Sequence, residues 1–74
     1  MNVKLNKNEL TLLKNKGIEI LSDKDYTEDE MFEFLDKTHD IEVSYAQGSS
    51  EYELRMAGQY AHIADKIQAS IPEF

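Results

Sequence analysis

Apolar residues recur at helical spacing in three stretches of the chain, and each stretch opens with a capping pattern. An Asn, Thr or Ser is followed three residues later by Glu, which is typical of a helix N-terminus. Gly17 and Gly48 are placed to end the first two helices, and Pro72 blocks extension of the third. The pattern predicts an all-α fold, a small three-helix bundle with helices over residues 7–16, 28–47 and 51–70.

The third predicted helix has the widest apolar face, so we expect it to be the central helix. Its first stripe is Leu54, Ala57, Ala61 and Ala64, and its second is Met56, Tyr60, Ile63, Ile67 and Ile71. The alanines allow close approach of a neighbouring helix, and the larger side chains fill the core. Ile18, Ile20 and Leu21, in the connector before the second helix, are expected to pack across the bundle.

Residues 41–46 also permit a second interpretation. Ile41, Val43 and Tyr45 alternate with polar residues, and this period of two is typical of a strand. An α+β fold with a short strand near 41–46 is therefore the alternative. We prefer the helix, because a strand there could pair only with residues 18–21 and would leave an isolated two-stranded sheet.

Length and composition restrict the structural and functional classes to which the chain can belong. At 74 residues it is expected to form one helical domain, residues 1–74. It has no cysteine, which excludes disulfides, thiolate metal sites and thiol nucleophiles. No stretch approaches the roughly 18 apolar residues of a membrane span, and residues 1–5 lack the apolar core of a signal peptide. A cytoplasmic protein without membrane association is expected.

The net charge of −7 is concentrated in the middle of the chain. Residues 25–53 contain ten carboxylates and one cation, Lys37. Nucleic-acid binding depends on Lys and Arg at phosphates, so direct binding to nucleic acid is not expected. An acidic surface instead attracts a basic partner, and aromatic side chains can anchor such a contact.

The sequence therefore predicts a protein–protein interaction module: an adaptor, regulator or inhibitor of a protein with a basic surface. The candidate contact residues are Glu28, Asp29, Glu33, Asp36 and Asp40, with Tyr45 and Tyr52 as aromatic anchors. A sharper form of this hypothesis is that the acids mimic nucleic-acid phosphates. A net charge of −7 is modest for such a mimic.

Self-association and metal binding are alternative functions. A homodimer could form through an apolar patch of residues without a clear place on the helical stripes: Val3, Phe32, Val43 and Phe74. His39 follows Asp36 by three residues and His62 precedes Asp65 by three, a spacing found in helical metal sites. Acids are abundant here and neither pair matches a zinc signature, so no metal site is assigned.

Catalysis is not expected, and neither is a cofactor. A calcium loop beginning at Asp23 fails, because its sixth position is Glu28 and its twelfth is Phe34. The chain has no Gly-rich phosphate loop, and Gly48, Ser49 and Ser50 are explained by helix capping. With three glycines and a thin core, the sequence offers little from which to build an enclosed active site.

Short segments distributed over most of the chain carry a resemblance to other proteins. These are residues 12–14 (LLK), 17–18 (GI), 24–27 (KDYT), 29–30 (DE) and 63–67 (IADKI). In them the chain resembles a group of short, acidic, uncharacterised proteins of Gram-positive bacteria such as clostridia. The resemblance implies a small, mainly helical fold and supplies no catalytic or binding residue.

Overall fold

Three capped segments begin the three α-helices of the chain. The structure is a computed structural model and describes residues 1–72. Its helices are α1 (Lys7–Lys14), α2 (Glu28–Ala46) and α3 (Glu51–Ala69). The predicted all-α bundle is confirmed. Residues 41–46 are helical, so the alternative with a strand there is wrong.

The caps explain where the helices begin. At α1 the Glu9 N–H donates to Asn6 Oδ1 at 2.8 Å, and the Asn6 N–H donates to Glu9 Oε1 at 2.9 Å. Thr27 and Glu30 form the same reciprocal capping box at α2, which lowers the pKa of the Glu30 carboxyl. At α3 only the first of the two capping bonds is present: the Ser50 hydroxyl accepts the Glu53 N–H. The Glu53 carboxylate accepts a hydrogen bond from the Ser50 hydroxyl, at 2.8 Å, instead of from the Ser50 N–H.

A glycine in the left-handed region ends the first helix. Gly17 has φ of 81°, and the Ile18 N–H donates to the Leu13 carbonyl at 3.0 Å. The Gly17 N–H donates to the Lys14 carbonyl at the same distance, which completes a Schellman motif. The α-helix stops at Lys14, two residues before the predicted end, and the motif turns the chain so that Ile18 is buried.

The core lies where α2 and α3 pack together, with α1 closing one side. Tyr60 is completely buried in α3, and its hydroxyl donates to the Leu12 carbonyl of α1 at 2.7 Å. The buried hydrophobic side chains are Val3, Leu5, Leu13, Ile18, Ile20, Tyr26, Met31, Leu35, Ala57, Tyr60, Ile63, Ala64, Ile67 and Ile71. The second predicted stripe of α3 accounts for four of these residues, so the prediction of α3 as the central helix is consistent with the packing.

The N-terminal segment lies beside the segment that precedes α2. The Met1 amino group donates to the Tyr26 carbonyl at 2.7 Å and pairs with Asp25, and the Tyr26 N–H donates back to the Met1 carbonyl at 2.7 Å. This pairing buries Val3 completely. Val3 therefore cannot contribute to an exposed dimer patch, and that part of the prediction is wrong.

Two predicted core residues are exposed. Leu54 is 54% exposed because it lies about 120° around α3 from Tyr60, outside the arc that α1 and α2 cover. Leu21 is 48% exposed in the connector, where its backbone N–H donates to the Tyr26 hydroxyl at 2.9 Å. Within residues 1–72 no helix has the length and hydrophobicity needed to cross a membrane.

Candidate functional site

A stripe of carboxylates runs along the face of α2 that points away from the core. We call Asp29, Glu33, Asp36 and Asp40 the acidic stripe; all four are exposed. Each residue of an α-helix turns by about 100°, so these four positions lie within about 60° of one another. The buried residues Met31, Leu35 and Thr38 face the opposite side of the helix. Four of the five predicted acidic contact residues thus share one surface.

The fifth predicted acid and the neighbouring cation lie beside this stripe. Glu28 is exposed but lies about 100° around the helix from Asp29. Lys37 forms an ion pair with Glu33, four residues earlier on α2, with Nζ and Oε1 3.1 Å apart. Both side chains are more than half exposed, so the pair adds little stability. The stripe as a whole remains strongly negative.

The two predicted aromatic anchors differ in their surroundings. Tyr45 is half-buried and stacks on Tyr60, with the ring centroids 5.7 Å apart. The Lys16 ammonium lies 4.8 Å from the centroid of the Tyr45 ring, and its interaction with Tyr45 raises the pKa of Lys16. Tyr45 is therefore engaged at the edge of the core. Tyr52, in the first turn of α3, is 59% exposed.

Two apolar side chains flank the acidic stripe. Phe32 is 37% exposed and Val43 is 53% exposed. They are eleven residues apart on α2, which places them within about 20° of each other along one edge of the stripe. Phe74, the remaining member of the predicted dimer patch, lies outside the described residues. The apolar edge at Phe32 and Val43 would suit an interface that combines charge with hydrophobic contact.

The two histidines lie on different helices. His39 is exposed on α2, and His62 is exposed on α3 with its Nε2 3.9 Å from Glu9 Oε2. In the part of the chain that the structure describes, no group of three acidic or imidazole side chains has the arrangement that could hold a metal ion.

Glu9 is a buried carboxylate whose tertiary role the sequence did not reveal. Lys66 Nζ donates to Glu9 Oε1 at 2.8 Å, and the Asn6 N–H donates to the same oxygen. Burial raises the pKa of the Glu9 carboxyl, but these hydrogen bonds and the nearby positive charges outweigh it, so the net pKa is lowered. The sequence identified Glu9 as a capping residue only, because nothing local indicates contact with a lysine 57 positions away.

A groove of about 390 Å³ lies between α1 and α3 next to this ion pair. Residues from both helices line it: Asn6, Asn8, Glu9, Leu12, Arg55, Gly58, Gln59, His62 and Ile63. Sequence reasoning did not find it, because its two walls come from distant parts of the chain. The one available signal was Gly58, a glycine in the interior of a predicted helix.

Comparisons of the chain with protein-family models, with curated proteins and with solved structures find no match.

Proposed function

We propose that this chain is a protein–protein interaction module that binds a partner with a basic surface on the outward face of α2. The observation that carries the proposal is the acidic stripe, four exposed carboxylates on one helical face. Their spacing of four, three and four residues repeats the period of the helix, so they form a straight row about 16 Å long. A basic helix or extended basic segment laid along α2 could contact all four.

Charge alone gives a fast, salt-sensitive encounter, whereas buried apolar contacts give the complex a longer lifetime. The exposed side chains of Phe32 and Val43 lie beside the stripe and support a contact of this mixed kind. The partner surface that fits is a row of Lys or Arg with apolar side chains along one edge.

The test compares two variants with the same change in net charge. Asp29→Asn, Asp36→Asn and Asp40→Asn together remove three charges from the stripe and keep side-chain size. The matched control, Glu19→Gln, Asp23→Asn and Asp65→Asn, removes three exposed charges elsewhere. Each protein is immobilised, exposed to lysate at low and high salt, and its bound proteins are identified by mass spectrometry.

A partner that binds the parent and the control at low salt, is released at high salt, and is lost with the stripe variant would support the proposal. Close charges act strongly only when salt does not screen them, so the salt dependence is part of the expected result. If both variants bind the same proteins as the parent, the acidic stripe is not the docking face and the proposal fails.

A further inference from the structure

The groove between α1 and α3 has an apolar floor and polar ends. Its aliphatic lining residues are Leu12, which is half-buried, and Ile63, which is 1% exposed. The groove is open to solvent and has a volume of about 390 Å³. Its walls come from α1 and α3, so it is a different surface from the acidic stripe on α2.

One end of the groove contains a carboxylate oxygen with spare hydrogen-bonding capacity. The Glu9 side chain is 8% exposed, and both of its hydrogen bonds are accepted by Oε1. Its Oε2 faces His62 Nε2 at 3.9 Å, which is too long for a hydrogen bond. Lys66 already neutralises the carboxylate, so the group that best complements Oε2 is a neutral N–H or O–H donor rather than a second cation.

The other end contains Arg55, whose guanidinium is weakly engaged. Its Nη2 lies 3.9 Å from Glu51 Oε1, and both side chains are well exposed. Such a pair is easily exchanged for a ligand carboxylate, which can accept two parallel hydrogen bonds from a guanidinium. Arg55 precedes His62 by two helical turns, about 10 Å along α3, so a ligand spanning the groove has its two polar groups well separated.

Gly58 lies between these two ends and keeps the groove open. Apart from the adjacent residues and the neighbouring backbone of α3, no atom lies within 4 Å of the position that a Cβ would take there, so no contact in the described chain requires a glycine. A helix with an interior glycine is less stable than one with alanine at the same position, and no packing contact in the fold explains this loss of stability. Gly58 lines the groove, so a longer side chain at this position would take up part of the open space there.

We propose that this groove binds a small organic carboxylate that carries a neutral hydrogen-bond donor at the far end of an apolar body. The carboxylate pairs with Arg55, and the donor bonds to Glu9 Oε2. The apolar body lies on Leu12 and Ile63 and passes over Gly58.

The probe is 6-hydroxyhexanoate, which has these three parts, and the measurement is titration followed by amide nuclear magnetic resonance. We expect saturable shifts at Gly58, Gln59 and His62. Hexanoate lacks the donor and 1-hexanol lacks the carboxylate, so each should bind about tenfold more weakly, as for the loss of a hydrogen bond to a charged group. Arg55→Gln should weaken binding similarly, whereas Lys4→Gln, a matched loss of charge outside the groove, should not.

Gly58→Leu fills the groove with a good helix former and should abolish the shifts, while Ala69→Leu on the same helix should leave them intact. The spectrum of each variant without probe shows whether it is folded. The proposal is overturned if the shifts do not saturate, or if they persist in folded Gly58→Leu. Equal affinity for 6-hydroxyhexanoate and hexanoate, or identical shifts with acetate, overturns it as well.

Discussion

At the scale of single residues, Glu9 connects a local cap to the tertiary fold. Gln at this position keeps an oxygen that can accept the Asn6 N–H, but it removes the charge that Lys66 faces. We expect Glu9→Gln to lower the free energy of unfolding by about 1 kcal/mol at neutral pH, measured by urea denaturation. Glu19→Gln, at an exposed position, is the control and should change little.

The same residue predicts a dependence of stability on pH. The pKa of the Glu9 carboxyl is lowered in the folded state. Its stabilising effect is therefore fully present above the pKa that a Glu carboxyl has in the unfolded chain, about 4.3. That effect is lost as the pH falls through the folded pKa. Stability of the parent should therefore fall more steeply below about pH 4.3 than that of Glu9→Gln. Parallel curves for the two proteins would show that the ion pair with Lys66 contributes nothing.

Tyr60 shows a contact that no local pattern could predict. The sequence correctly predicts that Tyr60 lies on a buried stripe. It does not predict the hydrogen bond that the Tyr60 hydroxyl donates to the Leu12 carbonyl at 2.7 Å. Tyr60→Phe leaves that carbonyl without this donor and should lower the free energy of unfolding by about 1 kcal/mol in a thermal or urea melt. Tyr52→Phe, on an exposed ring, should have no measurable effect on stability. Equal effects of the two substitutions would contradict this role for the Tyr60 hydroxyl.

At the scale of the helices, two glycines should respond in opposite directions to the same substitution. Gly17→Ala places a side chain at φ of 81° and should destabilise the protein by about 1 kcal/mol. Gly58→Ala lies in the interior of α3 with open space around the new Cβ and should stabilise it by about 0.5–1 kcal/mol. Urea denaturation of both variants gives the two signs directly. Destabilisation by Gly58→Ala would mean that the backbone there is constrained.

The helices were predictable because their determinants are local. Capping side chains, terminal glycines and the 3.6-residue period all act within a few positions, and α2 and α3 match their predicted bounds to one residue at the C-terminus. Leu54 shows the limit of this reasoning: a periodic stripe does not reveal how wide an arc of the helix its neighbours cover. The pattern predicts burial for Leu54 and Leu21, which are exposed, and places Val3 in an exposed patch, although it is buried.

At the scale of the whole molecule, the tertiary contacts that escaped prediction join distant segments of the chain. The Met1 and Tyr26 pairing, the Glu9 and Lys66 ion pair and the groove between α1 and α3 each join residues more than 20 positions apart. The acidic stripe was predictable because it belongs to a single helix. Candidate sites on one element can thus be found from sequence, whereas sites between elements require the fold.

The acidic stripe should also carry a cost in stability, which gives a test of its role independent of any partner. Asp36 and Asp40 lie one turn apart on the exposed face, and like charges at this spacing destabilise a helix by about 0.2–0.5 kcal/mol. Removing both with Asp36→Asn and Asp40→Asn should raise the free energy of unfolding at low salt, measured by urea denaturation. The gain should shrink at high salt, where the repulsion is already screened. If neutralisation gives no gain, the stripe is an ordinary solvated face at no cost to the fold; a gain accompanied by loss of the partner would mean that α2 gives up stability to keep its docking surface.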